Sequence, residues 1–174
     1  MFQMATARSS ALVGANEMPE GMLRGNFLES LRMIERLHRR MLDILKFRLD
    51  ETGRTDINSV QALLLYNIGE NEMTAGELRT RGYYLGSNVS YNLKNLVELG
   101  YIEHERSAHD KRAVRIRLSA KGMEVSELIS ALYDEQLATL ISSSLMDEDE
   151  IKRMRNALRN LERFWSDQVG FAAN

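Results

Sequence analysis

The chain has 174 residues, 44% hydrophobic and 28% charged, which suits one globular unit with a buried core and is too apolar for a disordered chain. It holds no cysteine, which excludes disulfides, thiolate metal ligation and cysteine-based peroxide sensing. The formal charge of -2 hides a gradient: residues 74–118 carry eight of the 23 Lys/Arg but five of the 25 Asp/Glu, so that stretch is net basic and the remainder net acidic.

The first 21 residues mix Met, Ala, Ser and Gly with the only proline, Pro19, without periodicity, and are expected to form a flexible arm over 1–21. They lack the continuous apolar run of a secretory signal, and no stretch approaches the roughly 18 apolar residues of a membrane span, so a cytoplasmic location without a membrane partner is expected. From Leu23 to Glu51, the residues Phe27, Leu31, Ile34, Leu37 or His38, Met41, Leu45 and Leu49 recur every three or four positions, with Arg32, Arg36, Arg39 and Arg40 between them. That spacing predicts one amphipathic helix. At about 1.5 Å per residue it would extend roughly 40 Å, more than one small domain needs, so a further surface must cover its stripe.

Asn58 and Gln61 form a capping box for a second helix ending near Asn67, because each side chain satisfies a free amide of the other's backbone. Thr74 and Glu77 repeat the signature for a short helix. Ser87 is read as the cap of the next, which carries Val89, Leu93, Leu96 and Val97 on one face and stops at Gly100. Tyr101 to Arg106 and Arg112 to Leu118 then alternate apolar and polar residues, which predicts a hairpin. Arg115 and Arg117 are expected to pair with Glu103 and Glu105 across its ladder. A further helix carries Val125, Leu128, Ile129, Leu132, Leu140 and Ile141. Asp147 and Glu150 cap the last one, whose stripe of Ile151, Met154, Leu158, Leu161 and Trp165 has the three-and-four spacing of helix-to-helix packing.

His38, His104 and His109 are scattered without ligand spacing, so neither a metal site nor another cofactor is expected. No glycine-rich phosphate loop, nucleophile elbow or paired-carboxylate motif is present, which argues against an enzyme. The ten methionines read as core filler.

On the helix after Ser87 each residue advances about 100° around the axis. Val89, Leu93, Leu96 and Val97 therefore point one way and Asn88, Tyr91 and Asn95 the other, with Lys94 at the margin and Ser87 at the N-terminal end. Ser87, Asn88, Tyr91, Lys94 and Asn95 are thus candidates for reading bases in a major groove. Asn can bond adenine in a bidentate manner, Lys can reach guanine or phosphate, and a Tyr ring can contact a thymine methyl. At the hairpin tip, His109, Lys111 and above all Arg112 suit the narrow, electronegative minor groove.

Two runs carry a resemblance: Asn88 to Ile102, with Leu96, Gly100, Tyr101 and Ile102 at its end, and the more specific Asp110 to Gly122, with Asp110, Arg112, Leu118, Ser119 and Gly122. Together they resemble the MarR family of winged helix-turn-helix transcription regulators. The resemblance is close over Asn58 to Gly122, and the flanking helices match in layout. It departs at Gly82 to Leu85, where the family usually has apolar-Gly-apolar-Ser, and at Arg79, where a small residue is usual.

The resemblance implies a mainly α fold with a small β-wing: a winged helix-turn-helix over 58–122, flanked by long dimerisation helices at 22–57 and 123–168, with a tail at 169–174. It implies a nucleoid-associated homodimer that binds double-stranded DNA in a sequence-specific manner. Its two recognition helices would read a pseudo-palindrome with half-sites about 10 base pairs apart. Asp110 would orient the wing without touching DNA. A small, often aromatic effector is also implied, and His38, Met41, Leu45 and Tyr66 are its candidate pocket because they join apolar bulk to polar handles. The alternative is a winged helix used as a protein-interaction module without specific DNA binding, whose face would be more apolar than Asn88, Lys94 and Asn95 make this one.

Overall fold

Runs of period three to four become helices here, and the alternating run becomes a sheet. The structure is a computed structural model that describes residues 20–70, 72–74, 77–78, 86–106 and 114–172. In chain order its elements are α1 (Glu20–Glu51), α2 (Ser59–Ile68), β1 (Met73–Thr74), α3 (Gly86–Glu98), β2 (Ile102–Arg106), β3 (Val114–Leu118), α4 (Ala120–Ser142) and α5 (Glu148–Ala172). The fold is mainly α with a small antiparallel sheet, as expected. Among the described residues no helix is long and apolar enough to cross a membrane.

Two boundaries differ from the expected ones. α1 begins at Glu20, inside the segment read as an arm, because Met22 and Leu23 extend the stripe of Phe27 by one more turn. α5 runs through 169–172, read as a tail, because Val169 stands four residues after Trp165 and prolongs its seam.

Local signals set the helix starts. At α2, Asn58 Oδ1 accepts from the Gln61 backbone N–H at 2.9 Å and Gln61 Oε1 accepts from the Asn58 N–H at 3.0 Å. The same reciprocal pair forms between Asp147 and Glu150 at α5 and between Thr74 and Glu77. Glu77 and Leu78 are helical. The rest of the helix expected there, with Arg79 and the Gly82 to Leu85 turn, lies outside the described residues. α3 starts at Gly86, so Ser87 stands within its first turn and is not its cap. Gly100, at φ 75°, ends that helix in the left-handed conformation glycine tolerates.

The sheet has three strands in the order β1-β3-β2. β2 and β3 form the expected hairpin, with Ile102 opposite Leu118 and His104 opposite Ile116. β1 adds a strand that the sequence did not announce, pairing Met73 with Ile116. Two residues are too few for alternation to be visible, and the pairing arises only because the fold brings them to the free edge of β3.

The core gathers Leu45 and Leu49 from α1, Leu64, Leu65 and Ile68 from α2, Leu93 and Leu96 from α3, Ile102 and Ile116 from the sheet, and Val125, Ile129 and Leu132 from α4. α2 lies at the centre, packed against α1 and α4. Its first residue is tied down by polarity as well, since the buried Ser59 hydroxyl donates to the Leu42 carbonyl at 2.8 Å. Burial of this apolar set is the main force assembling the lobe and thereby the angle at which α3 is displayed.

Candidate nucleic-acid interface

α3 is held by its inner face and displays its outer one. Leu93 and Leu96 are buried, whereas Tyr91 is 69% exposed and Ser90 and Lys94 face solvent. Ser87 and Asn88 occupy the first turn of the same helix, which is the end that enters a major groove first in helix-turn-helix proteins. Lys94 is 3.8 Å from Glu98 one turn on. Both groups are largely exposed, so water and salt screen the pair and the ammonium stays open to a phosphate or a base edge.

Asn95, expected among the base readers, is turned inward. It is half-buried, and its Oδ1 accepts from Gln61 Nε2 at 3.1 Å. The cause is tertiary: Gln61, only 5% exposed, is fixed by the capping box at the start of α2 and extends its amide across to α3. Helical angles alone mark the face opposite the core but not which part of it a neighbouring element occludes.

His109, Asp110, Lys111 and Arg112 lie outside the described residues. On the described wing strands, Arg115 and Arg117 are both ion-paired. Arg117 meets Glu103, its cross-strand partner, at 2.7 Å. Arg115 stands opposite Glu105 in register, but its guanidinium reaches Glu72, just before β1, at 3.3 Å. The segment leading into β1 therefore gives Arg115 a partner that the sequence did not announce.

A polar cluster not singled out from sequence lies beneath the recognition helix. Tyr101 is fully buried and donates its hydroxyl to Asp56 Oδ1 at 2.8 Å. Lys121 Nζ donates to Asp56 Oδ2 at 2.9 Å and sits 3.9 Å above the Tyr101 ring centre, where the ring's negative face attracts it. Burial, the largest single influence on Asp56, pushes its carboxyl up, but the bonds from Lys121 and Tyr101 together hold it below the usual carboxylate range. Asp56 in turn raises the Lys121 ammonium. Burial first, and then the Asp56 carboxylate, raise the Tyr101 phenol. The adjacent Arg54 pairs with Glu124. Lys121 belongs to a visible motif, whereas nothing local in the sequence announces Asp56 as its partner.

Of the four candidate pocket residues, two share a cavity. A space of about 180 Å³ between α1 and α4 is lined by Leu37, Arg40, Met41, Ile44, Leu45, Leu132, Tyr133 and Gln136. Met41 and Leu45 are part of its wall. Tyr66 stands behind it, edge-on to Tyr133 with ring centres 5.3 Å apart. His38 does not line it and is exposed, because it lies on the outer side of α1. Among the described residues no three His, Asp or Glu side chains gather into a metal-binding group.

Residues 57–122 match the family model described as a winged helix DNA-binding domain. Over 146 residues, covering 83% of this chain and 74% of the relative, the sequence is 38% identical to the exopolysaccharide II synthesis transcriptional activator ExpG of Rhizobium meliloti (strain 1021). Among solved structures, Streptococcus pneumoniae FabT in complex with DNA superposes with a TM-score of 0.67 at 25% identity, covering 82% of this chain and 99% of that one. Staphylococcus aureus MarR in complex with salicylate and kanamycin superposes with a TM-score of 0.67 at 22% identity, covering 84% and 94%.

Proposed function

We propose that this chain, which belongs to the MarR family of winged helix-turn-helix DNA-binding transcription regulators, works as a homodimer on a pseudo-palindromic operator. The observation that supports the reading is the set of apolar faces left exposed among the described residues. Along α5, Met154, Leu158, Phe164, Trp165 and Val169 are all exposed, and so are Phe27, Met33 and Leu37 on α1 and Leu137 and Ile141 on α4. Exposed apolar stripes on three long helices mark a protein interface, and a second copy supplies the same stripes in complementary order about a two-fold axis. Two copies of α3 then face one side.

Ser87, Asn88, Tyr91 and Lys94 read base edges, with Asn95 holding α3 to α2. His109, Lys111 and Arg112 enter the flanking minor grooves, with Asp110 orienting the wing. The regulator acts wherever the nucleoid presents its operator. Half-sites about 10 base pairs apart follow from the two-fold axis.

A small molecule shifts this state by binding the cavity between α1 and α4. That cavity lies where the core of the winged lobe ends and the uncovered halves of both helices begin, so an occupant that prefers one spacing of the helices biases the spacing of the reading heads. Its volume of about 180 Å³ suits a ligand smaller than drug size. Arg40 on its rim offers a cation to an acidic group, and Tyr133 offers a ring face. The salicylate bound by the S. aureus protein of the same fold is a suitable probe.

The test is footprinting of the full chain on the region upstream of its own gene, with and without salicylate. A protected symmetric site of about 20 base pairs is expected, since two half-sites one helical turn apart span that length. Protection of a single half-site would overturn the homodimer, and protection insensitive to saturating salicylate would remove that class of ligand.

A further inference from the structure

The segment that joins the wing to α4 does more than end a strand. Three successive carbonyls follow the recognition helix α3, and each is held from that segment. The Leu99 carbonyl accepts from Lys121 Nζ at 3.2 Å, the Gly100 carbonyl from the Ser119 hydroxyl at 2.7 Å, and the Tyr101 carbonyl from the Ser119 backbone N–H at 3.0 Å. Gly122 completes the grip. A Cβ there would come within 2.2 Å of the Tyr101 carbonyl oxygen, so the approach requires glycine. From the opposite side Asp56, in the connection between α1 and α2, accepts from both Tyr101 and Lys121.

From this geometry we infer that Asp56, Tyr101 and Lys121 form a positioning latch. It sets the angle of α3 relative to α1 and α4, and so governs discrimination between an operator and other DNA rather than attraction to DNA in general. The inference rests on the reading of α3 as a sequence-specific element. Tyr101 has no exposed surface and follows the C-terminal end of α3, whereas Ser87 and Asn88 occupy the first turn at the other end, so the latch acts through the helix.

α3 has 13 residues and a length of roughly 18 Å, so a tilt of about 5° at its C-terminal end displaces the first turn by roughly 1.6 Å. Hydrogen bonds to base edges do not survive such a shift, because they weaken steeply beyond about 3.2 Å. Attraction to phosphates extends over a screening length of about 10 Å and survives it. Specific binding therefore depends on the latch, and non-specific binding does not.

The test uses full-length protein and two duplexes of equal length: one selected from a random-sequence library by the wild-type chain, and one of mixed sequence. Tyr101→Phe removes a single oxygen from the latch, and Lys121→Met removes its bonds to both Asp56 and Leu99. Each variant is expected to bind the selected duplex roughly tenfold more weakly, in line with the coupling typical of residues that touch no ligand. Affinity for the mixed duplex should stay within about twofold, since the phosphate contacts are intact. Thermal melts and sedimentation, run alongside, identify folded dimer, and Tyr101→Phe alone carries the test if Lys121→Met does not fold. Equal losses on both duplexes, or no loss on the selected one, would overturn the latch. Enrichment of no sequence by the wild-type chain would instead overturn the specific reading on which the latch rests.

Discussion

α1 and α4 each consist of two halves that look alike in sequence and behave differently in the fold. The C-terminal half of α1 buries Leu45 and Leu49, and the N-terminal half of α4 buries Val125 and Ile129, with Leu132 just past its middle, all in the core of the winged lobe. Their other halves continue the same three-and-four periodicity but leave Leu23, Phe27, Met33, Leu137 and Ile141 open to solvent. An apolar stripe is satisfied only when another element covers it. Within the lobe α2 and the sheet provide that cover. Outside it no described residue does so, and the outer halves, with α5, are the surfaces assigned above to the proposed interface. Periodicity states that a face must be buried, and it does not state by what.

Substitutions in the two regions should therefore separate. The largest effect is expected for Leu65→Ala in α2, where a fully buried side chain is lost from a packed core. Chemical denaturation should show a loss of about 3 kcal/mol, combining transfer and cavity terms. Leu158→Asp on α5 comes next. It should weaken self-association roughly a hundredfold in sedimentation equilibrium, since a two-fold axis buries the charge twice, while the helical circular dichroism persists. A wild-type sedimentation profile for this variant would break the contrast between the halves.

A smaller effect concerns acid. Asp56's carboxyl is held below its ordinary range, so its contribution to stability is fully present above the unfolded value near pH 4 and is lost as the pH falls through the lower folded value. Melting temperatures should decline below about pH 4, and Asp56→Asn should flatten that decline by removing the group that titrates. The smallest effect is expected for Arg117→Ala. Its partner Glu103 and Arg117 itself are each half exposed, so denaturation should register no more than about 0.5 kcal/mol.

Much of the framework was legible because its causes are local. Asn58 with Gln61, Thr74 with Glu77 and Asp147 with Glu150 bond as their spacing of three residues dictates, and the alternation of Val114 to Leu118 sets the strand and its pairing with Ile102 to Arg106. The misread parts involve partners distant in the chain. Asn95 lies on the side of α3 away from its apolar stripe by angle, yet Gln61, 34 positions earlier, draws it inward. Alternation places Arg115 opposite the strand of Glu103 and Glu105, whereas its bond to Glu72 arises only because β1 joins the sheet. His38 has the chemistry of a pocket residue but lies on the wrong side of α1, and only the crossing of α1 and α4 decides which side faces the cavity.

By itself the sequence determined the order of the long helices and the wing hairpin, the winged helix-turn-helix with Tyr91 and Lys94 on the outer side of α3, and the family to which the chain belongs. These follow from periodicity, capping and motif, each confined to neighbouring residues. Tertiary structure alone decided which half of each long helix is buried, which polar side chains on α3 remain outward, and how the end of that helix is gripped by Ser119, Lys121 and Gly122 against Asp56. The physical reason is that hydrogen bonds and burial are properties of pairs in space, and the members of these pairs stand 17 to 65 positions apart in the chain.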